Sequence, residues 1–238
     1  DDMIVGEGHT WDAALRFAQW RMRLPVEPIP VNPERTYQLV GFFKAAPGSE
    51  GTAVIFGLNY FDEDGRPISG LEVFPVPGTQ TVLKEPAALG AREILLEYSP
   101  QSWPQDGRFA VVFGAKEDFS DIPNPNAFQI ASGIYEAEGL RLQLVEPLAG
   151  AFPAGTAVRC HQIMDPPMAH LEASNHWEEH GLTISGSAAP GDSRRQMRAS
   201  FWPGTAAVQV RIGFRHREFV QQGKEIWIDD LRIIEVAE

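Results

Sequence analysis

Apolar side chains recur at every second position through most of the chain, and this is the strongest pattern in it. Trp20, Met22, Leu24 and Val26 share one parity, then Val54, Phe56, Leu58 and Tyr60, then Ile94, Leu96 and Tyr98, then Phe109, Val111 and Phe113. Leu140, Leu142 and Leu144 follow, with Arg141 and Gln143 pointing away. Then come Val158 and Cys160, Leu182 and Ile184, and the longest row, Val208, Val210, Ile212 and Phe214. Successive side chains of a strand point to opposite faces, so a period of two predicts strands with one face buried. Each run is short and bounded by Gly, Pro, Asn or Asp, as strands joined by turns are. Half-polar alternation belongs to antiparallel sheets, and two such sheets stack face to face. The expected fold is all-β, a two-sheet antiparallel β-sandwich (jelly roll) with long inter-strand loops.

Two places break the rhythm. Residues 11–19 read either as a helix capped by Thr10, with Trp11, Leu15 and Ala18 on one stripe, or as an irregular first strand. In residues 226–233, IWIDDLRI, the apolar positions are 226 and 228, then 231 and 233. Parity changes at Asp229-Asp230, which period two permits only with an extra residue, so a β-bulge is expected there.

Neither a repeat nor a linker interrupts the 238 residues, which read as one domain, 1–238. That length buries a core without staples, and the single cysteine, Cys160, forms no intramolecular disulfide; its parity makes it buried and inert. Glycine and proline are frequent but scattered, as turn punctuation is. Asp62, Asp64 and Gly65 read as a hairpin turn, because the bidentate Glu and flanking helices of a calcium loop are missing. Residues 118–128, 164–172 and 188–198 are longer turn-rich excursions of the kind that carry function. The net charge of −12 argues against nucleic acid and against an anionic membrane surface, both of which need a basic face. No apolar run reaches the length of a membrane span. The start at Asp1 shows no leader pattern, and a mature or trimmed form is expected.

The closing run IWIDDLRI resembles the last strand of jelly-roll carbohydrate-binding modules of secreted bacterial polysaccharide-degrading systems. Residues 36–68, with a Tyr-led strand and a second ending in a Tyr/Phe-Asp-x-x-Gly turn, are similar to the early strand pair of those modules. PAGTAVRCHQ at 153–162, Trp177 and FWPGTAAVQVRI at 201–212 extend the likeness across the chain in short pieces. The resemblance implies a secreted, extracellular or periplasmic protein that binds a polysaccharide or oligosaccharide beside a linked catalytic domain. It also implies a structural Ca²⁺ held by Asp230, with Asp229 and Glu7 or Asp2 as further candidates, since calcium takes several hard oxygens. The long middle loops depart from the pattern of the smaller modules.

Sugar rings stack a C–H face on an aromatic plane, while their hydroxyls need planar polar partners. Trp103, in a Pro-flanked loop, is expected to be exposed; Trp177 and Trp202 are the next candidates, with Trp227, Tyr98 and Tyr135 also in view, whereas Trp20 reads as core. Arg159 and His161 alternate with buried Val158 and Cys160, and Gln209, Arg211 and Arg215 alternate with Val208 and Val210. Were those two strands in one sheet, Arg159, His161 and Arg211 would form a basic, hydrogen-bonding face for sugar. The bland reading of that row is an ordinary solvated face. A nucleophile elbow and a zinc-protease motif are missing, and His176 and His180 precede a strand, where an i, i+4 spacing does not make a helical metal site. Three functions follow: non-catalytic carbohydrate binding, a jelly-roll glycoside hydrolase or polysaccharide lyase using a carboxylate pair, and a structural or adhesion domain.

Overall fold

The computed structural model describes residues 19–23, 27–103, 108–190, 192, 194–215 and 224–236. In chain order its strands are β1 Gln19–Arg23, β2 Ile29–Pro30, β3 Thr36–Ala45, β4 Thr52–Phe61, β5 Thr81–Val82, β6 Glu93–Leu96 and β7 Phe109–Phe113. They continue with β8 Ala127–Glu136, β9 Gly139–Leu144, β10 Ala157–Gln162, β11 Met168–Ala173, β12 Glu178–Ser185, β13 Ala207–Arg215 and β14 Ile226–Val236. A single helical turn, α1 Arg194–Met197, precedes β13. The fold is all-β and its strand pairs are antiparallel. Of residues 11–19 only Gln19, which opens β1, is described, and the side chain of Trp20 lies outside the described residues. Residues 164–172, expected as a loop, are mostly strand β11, whose residues pair with β4.

The chain divides into two compact units. The first comprises Asp1–Pro67, Pro166–Ala188 and Arg194–Glu238, the second Ile68–Asp165 with Ala189–Ser193. The second unit is thus inserted between β4 and β11 of the first. Its main junctions, Pro67-Ile68 and Asp165-Pro166, carry no Gly/Ser spacer, and the insert alternates with the same period as its host, so composition marks no boundary.

The first unit is a β-sandwich. One sheet runs β1-β13-β4-β11, with β2 also on β13; the other runs β12-β3-β14. Val54, Phe56, Leu58 and Tyr60 are buried, and the last three lie opposite buried Ile212, Val210 and Val208. Tyr37, Leu39, Phe43 and Ala45 fill the facing side from β3. Phe43 and Phe56 join the two sheets edge to face at 5.0 Å between ring centroids.

The expected bulge is present. Along β14, Asp229 pairs with Phe42 and Arg232 with Val40, three steps against two, and Asp230 takes φ 50°. Ile226 and Ile228 therefore share the inner face with Leu231 and Ile233. Leu231 lies close against Gly41, where an added Cβ would sit 2.6 Å from Leu231 Cδ2. The Asp62 turn also forms as expected: Gly65 has φ 75°, its N–H donates to Asp62 O at 3.0 Å, and the Asp62 carboxylate accepts from the Arg66 N–H at 2.8 Å.

The second unit is a closed barrel. Its sheet runs β5-β10-β7-β8-β9-β6. The two end strands then meet, with Leu83 bridging Leu96, Lys84 N–H donating to Leu95 O at 2.9 Å and Glu97 N–H donating to Val82 O at 3.0 Å. Six strands, an even number, let an all-antiparallel sheet close without a parallel pair, and closure removes the exposed edges. Ile94, Leu96, Val111, Phe113, Leu140, Leu142, Leu144, Val158 and Cys160 fill its interior.

Gly41→Ala should cost about 1–3 kcal/mol, the usual penalty for overpacking a filled site. The same substitution should cost clearly less when Leu231 is already alanine. Urea denaturation of the four variants measures the difference; equal costs in both backgrounds would show that Leu231 is not the obstacle.

Candidate functional site

The open face of the β12-β3-β14 sheet carries the surface best suited to a ligand. Even-numbered residues of β3 point outward, and they meet the outward residues of β12 and β14 in rows set by the register. One end row is Ser185, Thr36 and Val236, joined by a 2.8 Å hydrogen bond between Thr36 Oγ1 and Ser185 Oγ. Thr183, Gln38 and Ile234 come next, then Gly181, Val40 and Arg232, where Val40 is itself covered, then Glu179, Phe42 and Asp229. At the far end Trp227 pairs with Lys44, and Trp177 immediately precedes β12, whose first paired residue, Glu178, lies opposite Phe43. The face is about 27 Å long and its outer strands about 10 Å apart, from the rise per residue and strand spacing.

Both end tryptophans are open to water, Trp177 at 44% and Trp227 at 39% exposure. Lys44 Nζ lies 5.2 Å from the Trp227 ring centroid, and the indole N–H donates to Glu225 Oε1 at 2.6 Å, so the ring is held in place. Arg232 pairs with Asp230 at 3.0 Å. The face thus combines two exposed indoles with Lys, Arg, Gln, Thr and carboxylate groups of both signs, a surface able to stack a flat C–H face and bond its hydroxyls.

Of the residues singled out from sequence, Trp177 and Trp227 stand exposed at the end of this face, while Trp103, Trp202, Arg159, His161 and Arg211 are buried. Trp103 is 3% exposed; its Nε1–H donates to Thr79 O at 2.9 Å and its backbone N–H to Tyr135 Oη at 2.6 Å, which tuck it into the barrel core. Trp202 is 1% exposed and packs 5.2 Å from Tyr60. Arg211 is buried on β13 opposite Gly57, in a different unit from Arg159 and His161, so the proposed basic row across one sheet does not form. Trp227, which sequence reasoning noted but left out of the site, is signalled by the parity slip, since residues opposite in parity to Ile226 and Ile228 must face out.

Asp229 and Asp230 work locally at the bulge. Asp229 Oδ1 accepts the Asp230 N–H at 2.8 Å, and Asp230 holds Arg232. Among the described residues no group of three or more His, Cys, Asp or Glu is placed to hold a metal ion, and Glu7 and Asp2, the other expected calcium ligands, lie outside them.

Arg159 and His161 do point away from Val158 and Cys160, but residues 71–76 and 116–124 cover them. His161 Nδ1 lies 3.0 Å from Leu71 O; a carbonyl only accepts, so Nδ1 carries the proton and Nε2 receives the Arg159 Nε–H at 3.0 Å. Arg159 also donates to Lys116 O and to Asp121 Oδ2, each at 3.0 Å, and the Asn124 amide donates to the same carboxylate oxygen at 3.0 Å. Burial and the neighbouring guanidinium push His161 down to about 3. Burial pulls the Asp121 carboxyl upward, but the Asn124 amide, the Lys116 N–H and Arg159 outweigh it and leave it below its ordinary value. Burial raises the Cys160 thiol to about 12, so it stays protonated and unreactive, as its parity suggested.

No family model, no curated protein and no solved structure matches this chain.

His161 makes stability depend on acid. Unfolded, it takes up a proton below about pH 6.5; folded, it resists until about pH 3. Between those values the unfolded state binds more protons, so its contribution is complete above pH 6.5 and falls away as pH drops, by at most about 1.4 kcal/mol per pH unit. Urea midpoints measured from pH 7 to pH 4 should decline, and His161→Gln should flatten the decline while lowering stability at pH 7. An unchanged slope would remove His161 as its source.

Proposed function

We propose that this chain is a non-catalytic carbohydrate-binding module, and that a neutral, extended polysaccharide lies along the open face of the β12-β3-β14 sheet. The observation that carries the reading is the pair of exposed tryptophans at one end of the sheet, Trp227 on β14 opposite Lys44 and Trp177 just before β12. Large exposed aromatics on an open sheet leave apolar area in water that a partner must cover to recover its burial energy. Two exposed indoles at one end of the face, with hydrogen-bonding groups beside them, suit sugar rings, which present both an apolar face and equatorial hydroxyls. The mixed signs on the face and the net charge of −12 favour a neutral chain over an anionic one. The secreted setting and a linked degrading enzyme belong to the same proposal through the family resemblance.

One observation favours a second reading. Ile234 and Val236 are exposed on the same face, which also suits a protein contact of the adhesion kind.

Affinity electrophoresis through gels containing soluble β-glucan, xylan or galactomannan, with pull-down on insoluble cellulose and chitin, tests the proposal. At least one polysaccharide should retard the protein. Trp177→Ala and Trp227→Ala should each weaken that binding tenfold or more, about 1.4 kcal/mol, without moving the melting temperature. Retention unaffected by either substitution would sink the sheet-face assignment, and release of reducing sugar from the same panel would replace binding with catalysis.

A further inference from the structure

We propose that the barrel unit carries a carbohydrate site of its own, a platform made by Tyr98 and Tyr135 at one end of the barrel. Tyr98 continues the inward row of Ile94 and Leu96 beyond the end of β6, and Tyr135 pairs with inward-facing Leu140 near the end of β8. The parity that buries Leu96 and Leu140 thus brings both tyrosines to the barrel mouth, one of the places where ligand sites occur. Trp103 fills the barrel beneath, and Tyr98 and Tyr135 remain 55% and 39% exposed.

The two rings are preorganised. Their planes are within 16° of parallel, with centroids 6.1 Å apart. Neither hydroxyl is loose: Tyr98 Oη–H donates to Glu136 O, and Tyr135 Oη accepts the Trp103 N–H at 2.6 Å. A surface loop seldom fixes two aromatic rings so firmly while leaving them in water, and fixed rings lose little conformational entropy when a ligand arrives. Lys84 donates its ammonium to Glu138 O in the turn three residues after Tyr135, and Gln101 and Ser102 lead into Trp103, whose backbone N–H bonds Tyr135. These are hydrogen-bonding groups rather than an apolar rim, so the occupant is amphipathic. A neutral pyranose ring fits, with its C–H face on the tyrosines and its hydroxyls toward the polar side chains. The inference shares the carbohydrate reading made for the sandwich unit but stands on different residues in a different unit.

Isothermal titration of the full chain with neutral β-glucan, xylan and mannan hexasaccharides distinguishes the two sites. Two sites per chain are expected. Tyr98→Ala should weaken one of them tenfold or more while leaving the melting temperature and the second site unchanged, and Tyr98→Phe should restore it in part, since the ring returns without its bond to Glu136 O. The Trp177→Ala/Trp227→Ala variant should keep the tyrosine site. A single site abolished by the tryptophan substitutions alone would overturn this inference and leave the sheet face standing. A single site abolished by Tyr98→Ala alone would do the reverse. Binding of choline chloride in place of every sugar would overturn the sugar assignment of the platform, and no binding of any sugar would overturn both sites.

Discussion

One extra residue between Asp229 and Arg232 decides which side chains the three-stranded sheet shows to water. Strand geometry alternates without exception, so a regular β14 would put either Ile226 and Ile228 or Leu231 and Ile233 in solvent. The bulge lets all four face inward, and by the same step sends Trp227, Asp229, Arg232 and Ile234 outward together. Holding a non-glycine residue at positive φ costs about 1–2 kcal/mol. Asp is among the residues that tolerate it, and here the Asp229 carboxylate takes the Asp230 N–H while Asp230 holds Arg232. Gly41 completes the arrangement by leaving room for Leu231. Core and open face are therefore two consequences of a single local irregularity.

Parity was legible in the sequence because it depends only on nearest-neighbour geometry. It gave the antiparallel all-β class, the inward rows of β4, β9, β10 and β13, the buried thiol and the bulge itself. Solvent exposure was not legible, because it depends on what the rest of the chain lays over an outward residue. Arg159 and His161 have the expected parity and are still buried, covered by residues 71–76 and 116–124. Trp103 sits in a proline-flanked segment that reads as a surface loop, yet a closed barrel needs a large side chain in its interior near the mouth. Tyr98 is the converse: it shares the parity of Ile94 and Leu96 but lies past the last strand pair, where the barrel ends. The two-unit organisation left no trace either, since the main junctions of the insert fall beside prolines and the insert obeys the same alternation.

Two kinds of polar and aromatic cluster remain to be told apart, and hydrogen-bond satisfaction separates them. Around Asp121, Arg159 and His161 the donors and acceptors meet within the barrel unit, tying two covering segments to β10. A ligand drawing on those groups would first break bonds whose loss leaves buried atoms unpaired, at about 1–3 kcal/mol each. Such a cluster specifies a fold and offers little to a partner. Trp177, Trp227, Tyr98 and Tyr135 are arranged the other way. Where a polar atom on them is engaged, as on Trp227 and both tyrosines, the bond orients the ring, while much of each ring stays in contact with water. Covering those surfaces breaks none of these bonds and removes apolar area from solvent, so binding energy is available there and not at the buried arginine. Carbohydrate pairs a flat apolar face with a ring of hydroxyls, so the proposal rests on the exposed aromatics and not on Arg159, His161 and Arg211, which are buried.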